Sequence, residues 1–299
     1  MMKVLAVALV LVGGLAVLAA HRSSSSSGQA TSPNPSLLTR HYQEGEKLSY
    51  HMTATNKDNI STKRYEAQAD GVVKKDSAGN FYEEYQWSGV VWDGKAVAVP
   101  PDFRQILSLD PRFKPVFPDL RKAPSGLVGP VLDLMNFYVD LGLAIRHGLS
   151  RPGDHAYIKF GRPISWAAGE GAILGESSID FDITLQDVNR SANTAAVLIR
   201  HVPPAQSQVQ LPSVWMHIPV ADTPNNWVSV RKNRNGKYVA AVGKETFDVV
   251  IKTSLADGRI LSATMDNPVE VLERQCEDAA LTVCGDPIRY QIRRQIAIQ

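Results

Sequence analysis

Between Ser125 and Gly148 the chain is apolar almost without relief. Leu127, Val131, Leu132, Leu134, Met135, Phe137, Tyr138, Val139, Leu141, Leu143 and Ile145 are broken only by Asp133, Asn136, Asp140 and small residues. The run is too long for one buried strand and has the length of a helix. At about 100° per residue, Gly129, Asp133, Asn136, Asp140, Ala144 and His147 fall within an arc of about 80°. The polar face is therefore narrow, and the helix must be covered on several sides. Ser125 is placed to cap it, Pro130 lies in its early turns, Arg146 and His147 in its last, with Gly148 and Pro152 beyond. Of the possible covers, a curved sheet is preferred over a second chain, a membrane surface or a membrane span, because Asp133 and Asp140 are costly at bilayer depth.

The flanking sequence supplies such a sheet. Leu48, Tyr50, Met52 and Ala54 alternate with polar residues, as do Tyr65, Ala67, Ala69, Gly71 and Val73, and then Phe81, Tyr85, Trp87 and Val91. That is the period of half-buried strands. Asp93-Gly94 signals a hairpin into Ala96–Val99. Residues 100–124 carry six prolines and read as irregular, so this stretch and the helix form one insertion, around residues 100–150, between two β blocks. Strand patterns resume at 155–166, 179–186, 195–201, 209–218, 227–232, 238–242, 247–253, 259–265, 269–275 and 288–298. Asn235-Gly236 and Asp257-Gly258 mark two tight connections. About a dozen such strands in one sheet must curl. The expected fold is mainly β: a large curved antiparallel sheet, a half-barrel-like meander, with one apolar helix on its concave face, in a single domain over residues 41–299.

Met1-Met2-Lys3 followed by an apolar run from Val4 to Ala20 reads as a signal peptide or an N-terminal membrane anchor, residues 1–20. Residues 21–40 read as a flexible Ser-rich linker. Export to a periplasmic or extracellular space follows, with the membrane as a partner if residues 4–20 stay attached. Cys276 and Cys284 are the only cysteines and suit a loop-closing disulfide. A formal charge of +2 leaves no polyanion footprint, so nucleic acid is not an expected partner.

Neither a catalytic motif nor a metal-ligand spacing is present in the sequence, and no cofactor fingerprint; a non-enzymatic protein is expected. Asp133, Asn136, Asp140 and His147 are expected to form a solvated helix edge, the sharper alternatives being a cation site or an Asp140–His147 acid–base pair. Asp180 and Asp182 read as the outer face of a strand. Asn59-Ile60-Ser61 and Asn189-Arg190-Ser191 read as surface loops. Arg294 and Glu83 stand on the apolar rows of their strands, and a buried charge needs a counter-charge, a ligand or a route to water.

An exported curved sheet with an apolar helix in its hollow is similar in outline to the periplasmic lipoprotein-carrier half-barrels. The resemblance is one of architecture and carries no residue over. It implies a hydrophobic or lipid-like ligand between sheet and helix, touching Arg294, Glu83, Tyr85, Trp87, Phe137 and Tyr138. The alternative is a structural module with a packed interior and an envelope protein as partner.

Overall fold

The computed structural model describes residues 36–120, 123–165, 172–233 and 235–299; the side chains of 172 and 173 are not described. The signal or anchor at 1–20 and the linker up to residue 35 lie outside these residues. Residues 36–40, assigned to the linker from their composition, belong to the core, with Leu38 fully buried and Arg40 7% exposed.

Strands β1 (Lys47–Lys57), β2 (Thr62–Lys75) and β3 (Phe81–Trp92) form a meander. The Asp93-Gly94 turn then folds β4 (Lys95–Ala96) onto β3. Both turn residues have positive φ, 47° and 75°, as a tight hairpin of this hand requires. Strand β5 (Gln105–Leu107) pairs with the start of β3, Leu107 opposite Glu83. Helix α1 (Ser125–Arg146) follows, and Gly148 leaves it at φ 64°. Ser125 does not cap it. The N-cap position is Pro124, whose carbonyl accepts the Leu127 amide at 2.8 Å, and no side chain caps the end.

The second block holds β6 (His155–Ile158), β7 (Ile164–Ser165), β8 (Ala172–Ser177), β9 (Asp180–Asn189), β10 (Thr194–Val202), β11 (Trp227–Lys232), β12 (Tyr238–Glu245), β13 (Phe247–Ser254), β14 (Ile260–Cys276) and β15 (Ile288–Ile298). All pairs are antiparallel, and the sheet is large and not closed. The chain's last strand joins the two blocks, since β15 pairs with β1 on one side and β14 on the other.

Strand β14 is the spine. The sequence pattern suggests two strands, 259–265 and 269–275, yet one 17-residue strand runs through. On one side it pairs with β15; on the other with β13 up to Asp266 and with β12 from Val269. Thr246 is the gap between β12 and β13. The Pro268 carbonyl points at it, accepting the Thr246 amide at 3.3 Å. A strand residue directs its N–H and C=O to the same side, so the N–H that proline lacks would have faced this gap. The side-chain amide of Asn267 donates to the Thr246 carbonyl at 2.8 Å. From this fork one branch continues β12, β11, β8, β7 and the other β13, β10, β9, β6.

The main core lies around α1, between β1–β3, β14 and β15 on one side and β9, β10 and β13 on the other. A second core of Val228, Val230, Ala240, Val242 and Leu272 occupies the opposite face of β11, β12 and β14. Residues 209–218 are not a strand. Val209 and Met216 cover this second core, with a 3-10 turn at Val214–His217, and Ser213 and Trp215 donate to the Leu281 carbonyl at 2.9 and 3.1 Å. Cys276 and Cys284 are joined by a disulfide that closes the loop holding Leu281.

Gly71 makes room for the Tyr85 ring: a Cβ there would sit 2.5 Å from Tyr85 Cε1. That ring cannot move aside, because its hydroxyl is fixed in the core. Gly71→Ala is expected to lower unfolding free energy by about 1–3 kcal/mol, the cost of overpacking a core. Urea titration measures this, and an unchanged midpoint would show the ring free to shift.

Candidate functional site

On the narrow polar face of α1, His147 is exposed and Asn136 half-buried, but the two carboxylates are not solvated. Asp133 is 1% exposed and Asp140 3%. Each is tied to a different part of the sheet. Arg294 Nη2 on β15 donates to both Asp133 oxygens at 2.6 Å, and the Tyr65 hydroxyl on β2 donates to Oδ2 at 2.6 Å. Burial pushes the Asp133 carboxyl up, and the Arg294 charge opposes it. Asp140 meets His201 Nε2 on β10 at 3.0 Å, so its partner is not His147. The His201 ring is held between Phe181 and Phe247, both at 4.8 Å between centroids.

Glu83, on the apolar row of β3, is 1% exposed and has its own counter-charge. Arg40 Nε donates to Oε1 at 3.2 Å, and the hydroxyls of Tyr85 and Tyr138 both donate to Oε2. The two hydroxyls are 2.6 Å apart. Burial is the largest influence on Glu83 and pushes its carboxyl up; Arg40 and the two phenols oppose it. Both phenols are pushed far above the usual tyrosine range by burial and by the Glu83 charge. Arg40 also reaches Glu46 at 2.7 Å.

Trp87 Nε1 donates to Gln105 Oε1 at 3.1 Å, and Gln105 Nε2 donates to the Val131 carbonyl in α1 at 2.8 Å. Phe137 is 1% exposed among the strands. The space between helix and sheet is thus filled by protein side chains. Of the six residues singled out for ligand contact, Glu83, Tyr85 and Tyr138 converge on one cluster. Arg294, Trp87 and Phe137 lie at separate places in the core.

A cavity of about 440 Å³ opens on the remaining flank of α1, where residues 106–117 pass alongside it. The helix contributes Met135, Tyr138, Val139 and Leu143; the proline-rich segment contributes Leu109, Phe113, Val116 and Phe117. Tyr138 is the one anticipated ligand contact that lines it. The segment is pinned at its start. Ser108 Oγ donates to the Phe81 carbonyl at 2.7 Å, the Leu109 amide donates to the Tyr42 hydroxyl at 2.7 Å, and Asp110 accepts the Phe81 amide at 3.2 Å. The Arg112 guanidinium holds the Asp110 carboxyl down at about 2. Beyond these anchors the prolines at 111, 115 and 118 prevent a strand or helix, so the apolar side chains there fold back over α1.

A further buried carboxylate lies at the sheet fork. Glu245 is fully buried; its Oε2 accepts from Ser177 Oγ at 2.7 Å and its Oε1 has no hydrogen-bond partner among the described residues. Burial pushes it up to about 7. Asp180, expected on an outer face, is 4% exposed and accepts from the Tyr157 hydroxyl at 2.9 Å. Asn59 and Asn189 are exposed. Among the described residues no group of three or more His, Cys, Asp or Glu is arranged to hold a metal. Helix α1 has the length and composition of a membrane span, yet 78% of its most apolar window is buried in the protein, as befits a core helix.

No family model, curated protein or solved structure matches this chain.

Two outcomes follow from these charges. Arg294→Ala strands Asp133 and is expected to cost about 3–5 kcal/mol in chemical denaturation, whereas the paired exchange Arg294→Met with Asp133→Leu recovers most of it. Glu245, whose ordinary value is 4.5, keeps in the folded chain a proton that the unfolded chain has lost. Its contribution is fully present below about pH 4.5 and is lost as pH rises through about 7, on the order of 3 kcal/mol. Glu245→Gln should therefore narrow the difference in melting temperature between pH 5 and pH 8; an unaltered difference would place the titration elsewhere.

Proposed function

We propose that this protein is a non-enzymatic holder of an apolar ligand, exported to an oxidising compartment, and that the ligand lies between α1 and the proline-rich segment. The observation that carries this reading is the cavity itself. At about 440 Å³ it is within the range of about 300–1,000 Å³ usual for small-molecule sites, and it has their makeup, apolar walls with few polar groups. Val116 and Phe117 at its rim remain 46% and 43% exposed, apolar surface that a bound molecule would cover. The disulfide and the N-terminal apolar run favour export.

The site differs in place from the one the sequence suggested. Between sheet and helix, charged and aromatic side chains already satisfy one another, which leaves the opposite flank of α1 for a ligand.

A second reading has one observation in its favour. Val214, Ile218, Val283 and Ile288 are 86%, 58%, 61% and 54% exposed, in the 3-10 turn, the disulfide loop and the start of β15, and suit a protein partner.

Gly142 separates the two. A Cβ there would meet only Leu109 Cδ2, at 3.8 Å, so Gly142→Phe can fill the cavity without entering the core. Native mass spectrometry of detergent-free protein from an envelope-bearing host is expected to show a small apolar molecule on the wild type and none on Gly142→Phe. Empty wild-type protein in repeated preparations would remove the ligand reading. As a control for folding, Gly142→Ala should raise stability by about 1 kcal/mol, the helix-propensity difference.

A further inference from the structure

Resting on the cavity reading above, we infer that the ligand is a single-chain amphiphile with an anionic head, the chain lying along α1 and the head meeting Arg146. Two features of the cavity lead there, its length and the charge at one end. The lining positions on the helix run from Met135 to Arg146, eleven steps along the chain, or about 16 Å at the helical rise. A space of about 440 Å³ spread over that length of helix, with Met135, Val139, Phe113 and Phe117 in its walls, suits one extended hydrocarbon chain rather than a pair or a compact ring system.

The charge is one-sided. Arg146 lines the cavity, is exposed, and makes no ion pair with any described residue. Asp110 also lines it, but that carboxylate is buried and already bound by the Arg112 guanidinium at 2.8 Å and by the amides of Phe81 and Arg112. Tyr138 turns its hydroxyl inward to Glu83 and offers the cavity only its ring. An entering head group therefore meets a guanidinium and no available carboxylate. Arg146 also stands in the last turn of α1, where a cation suits the helix dipole. That role alone makes no demand on ligand charge, and so the two can be told apart. A guanidinium takes a carboxylate or a phosphate in a two-pronged hydrogen-bonded pair, which is the head chemistry assigned here.

The test is calorimetric titration of the whole exported chain with dodecanoate, dodecyl phosphate, 1-dodecanol and dodecyltrimethylammonium. The wild type should prefer at least one of the two anions over dodecanol by about fivefold, the upper worth of an exposed ion pair; which anion binds tighter identifies the head as carboxylate or phosphate. Arg146→Ala should erase that preference with dodecanol affinity unchanged, Arg146→Lys should keep most of it, and Arg146→Glu should turn it toward the ammonium. Equal binding of anion and alcohol by the wild type, or a preference that survives Arg146→Ala, overturns the anionic head and leaves the cavity reading standing. Binding of none of the four by the wild type overturns both.

Discussion

Everything in this fold depends on how α1 is fastened. A helix that is apolar over most of its circumference would slide or rotate in an apolar cradle, since dispersion contacts are non-directional. Its few polar residues remove that freedom. Asp133 is bound to Arg294 and Tyr65, at β15 and β2; Asp140 is bound to His201 on β10. Tyr138 reaches Glu83 on β3, and the Val131 carbonyl is held by Gln105 on β5. Each contact fixes one azimuth at one height, and together they tie the helix to the first β block, to β15 and to the β13 branch of the sheet. Burying a charge pair gains little net stability, but losing one partner costs much, so these pairs act as register pins more than as glue.

The fork in the sheet creates the room for this arrangement. Strands β12 and β13 share one neighbour, β14, and part at Thr246, where Asn267 and Pro268 satisfy or remove the backbone groups that a continuous ladder would have paired. One branch wraps the main core and the other turns its second face toward the disulfide loop. With the sheet-facing side of α1 filled, the flank beside residues 106–117 is left with a wall of prolines and aromatics that cannot pack as a strand would, and the cavity lies there.

Much of this was legible in the chain. Period and length gave α1 and most strands, because side chains that face a core must repeat with the backbone. Pro268 misled, since a proline inside a strand normally ends it, and here its missing donor falls at a gap. Residues 209–218 misled in the other direction: their apolar side chains cover a core without joining a ladder. The sequence required a counter-charge, a ligand or a route to water for Arg294 and for Glu83, yet could not name Asp133 or Arg40, because such pairs are set by how distant segments meet. Asp133 looked like surface for the same reason. The cavity was the least legible part. It depends on the path of an irregular segment, and only the aromatics Phe113 and Phe117 among its prolines hinted at it.

Native-state hydrogen exchange addresses the central claim most directly. If α1 is pinned at its centre, the amides from Val131 to Leu143 exchange only when the whole domain unfolds, with the same free energy as those of β2, β10 and β15. Exchange of α1 through a lower-energy opening while those strands stay protected would contradict the account, and would describe a lid where a core helix is claimed.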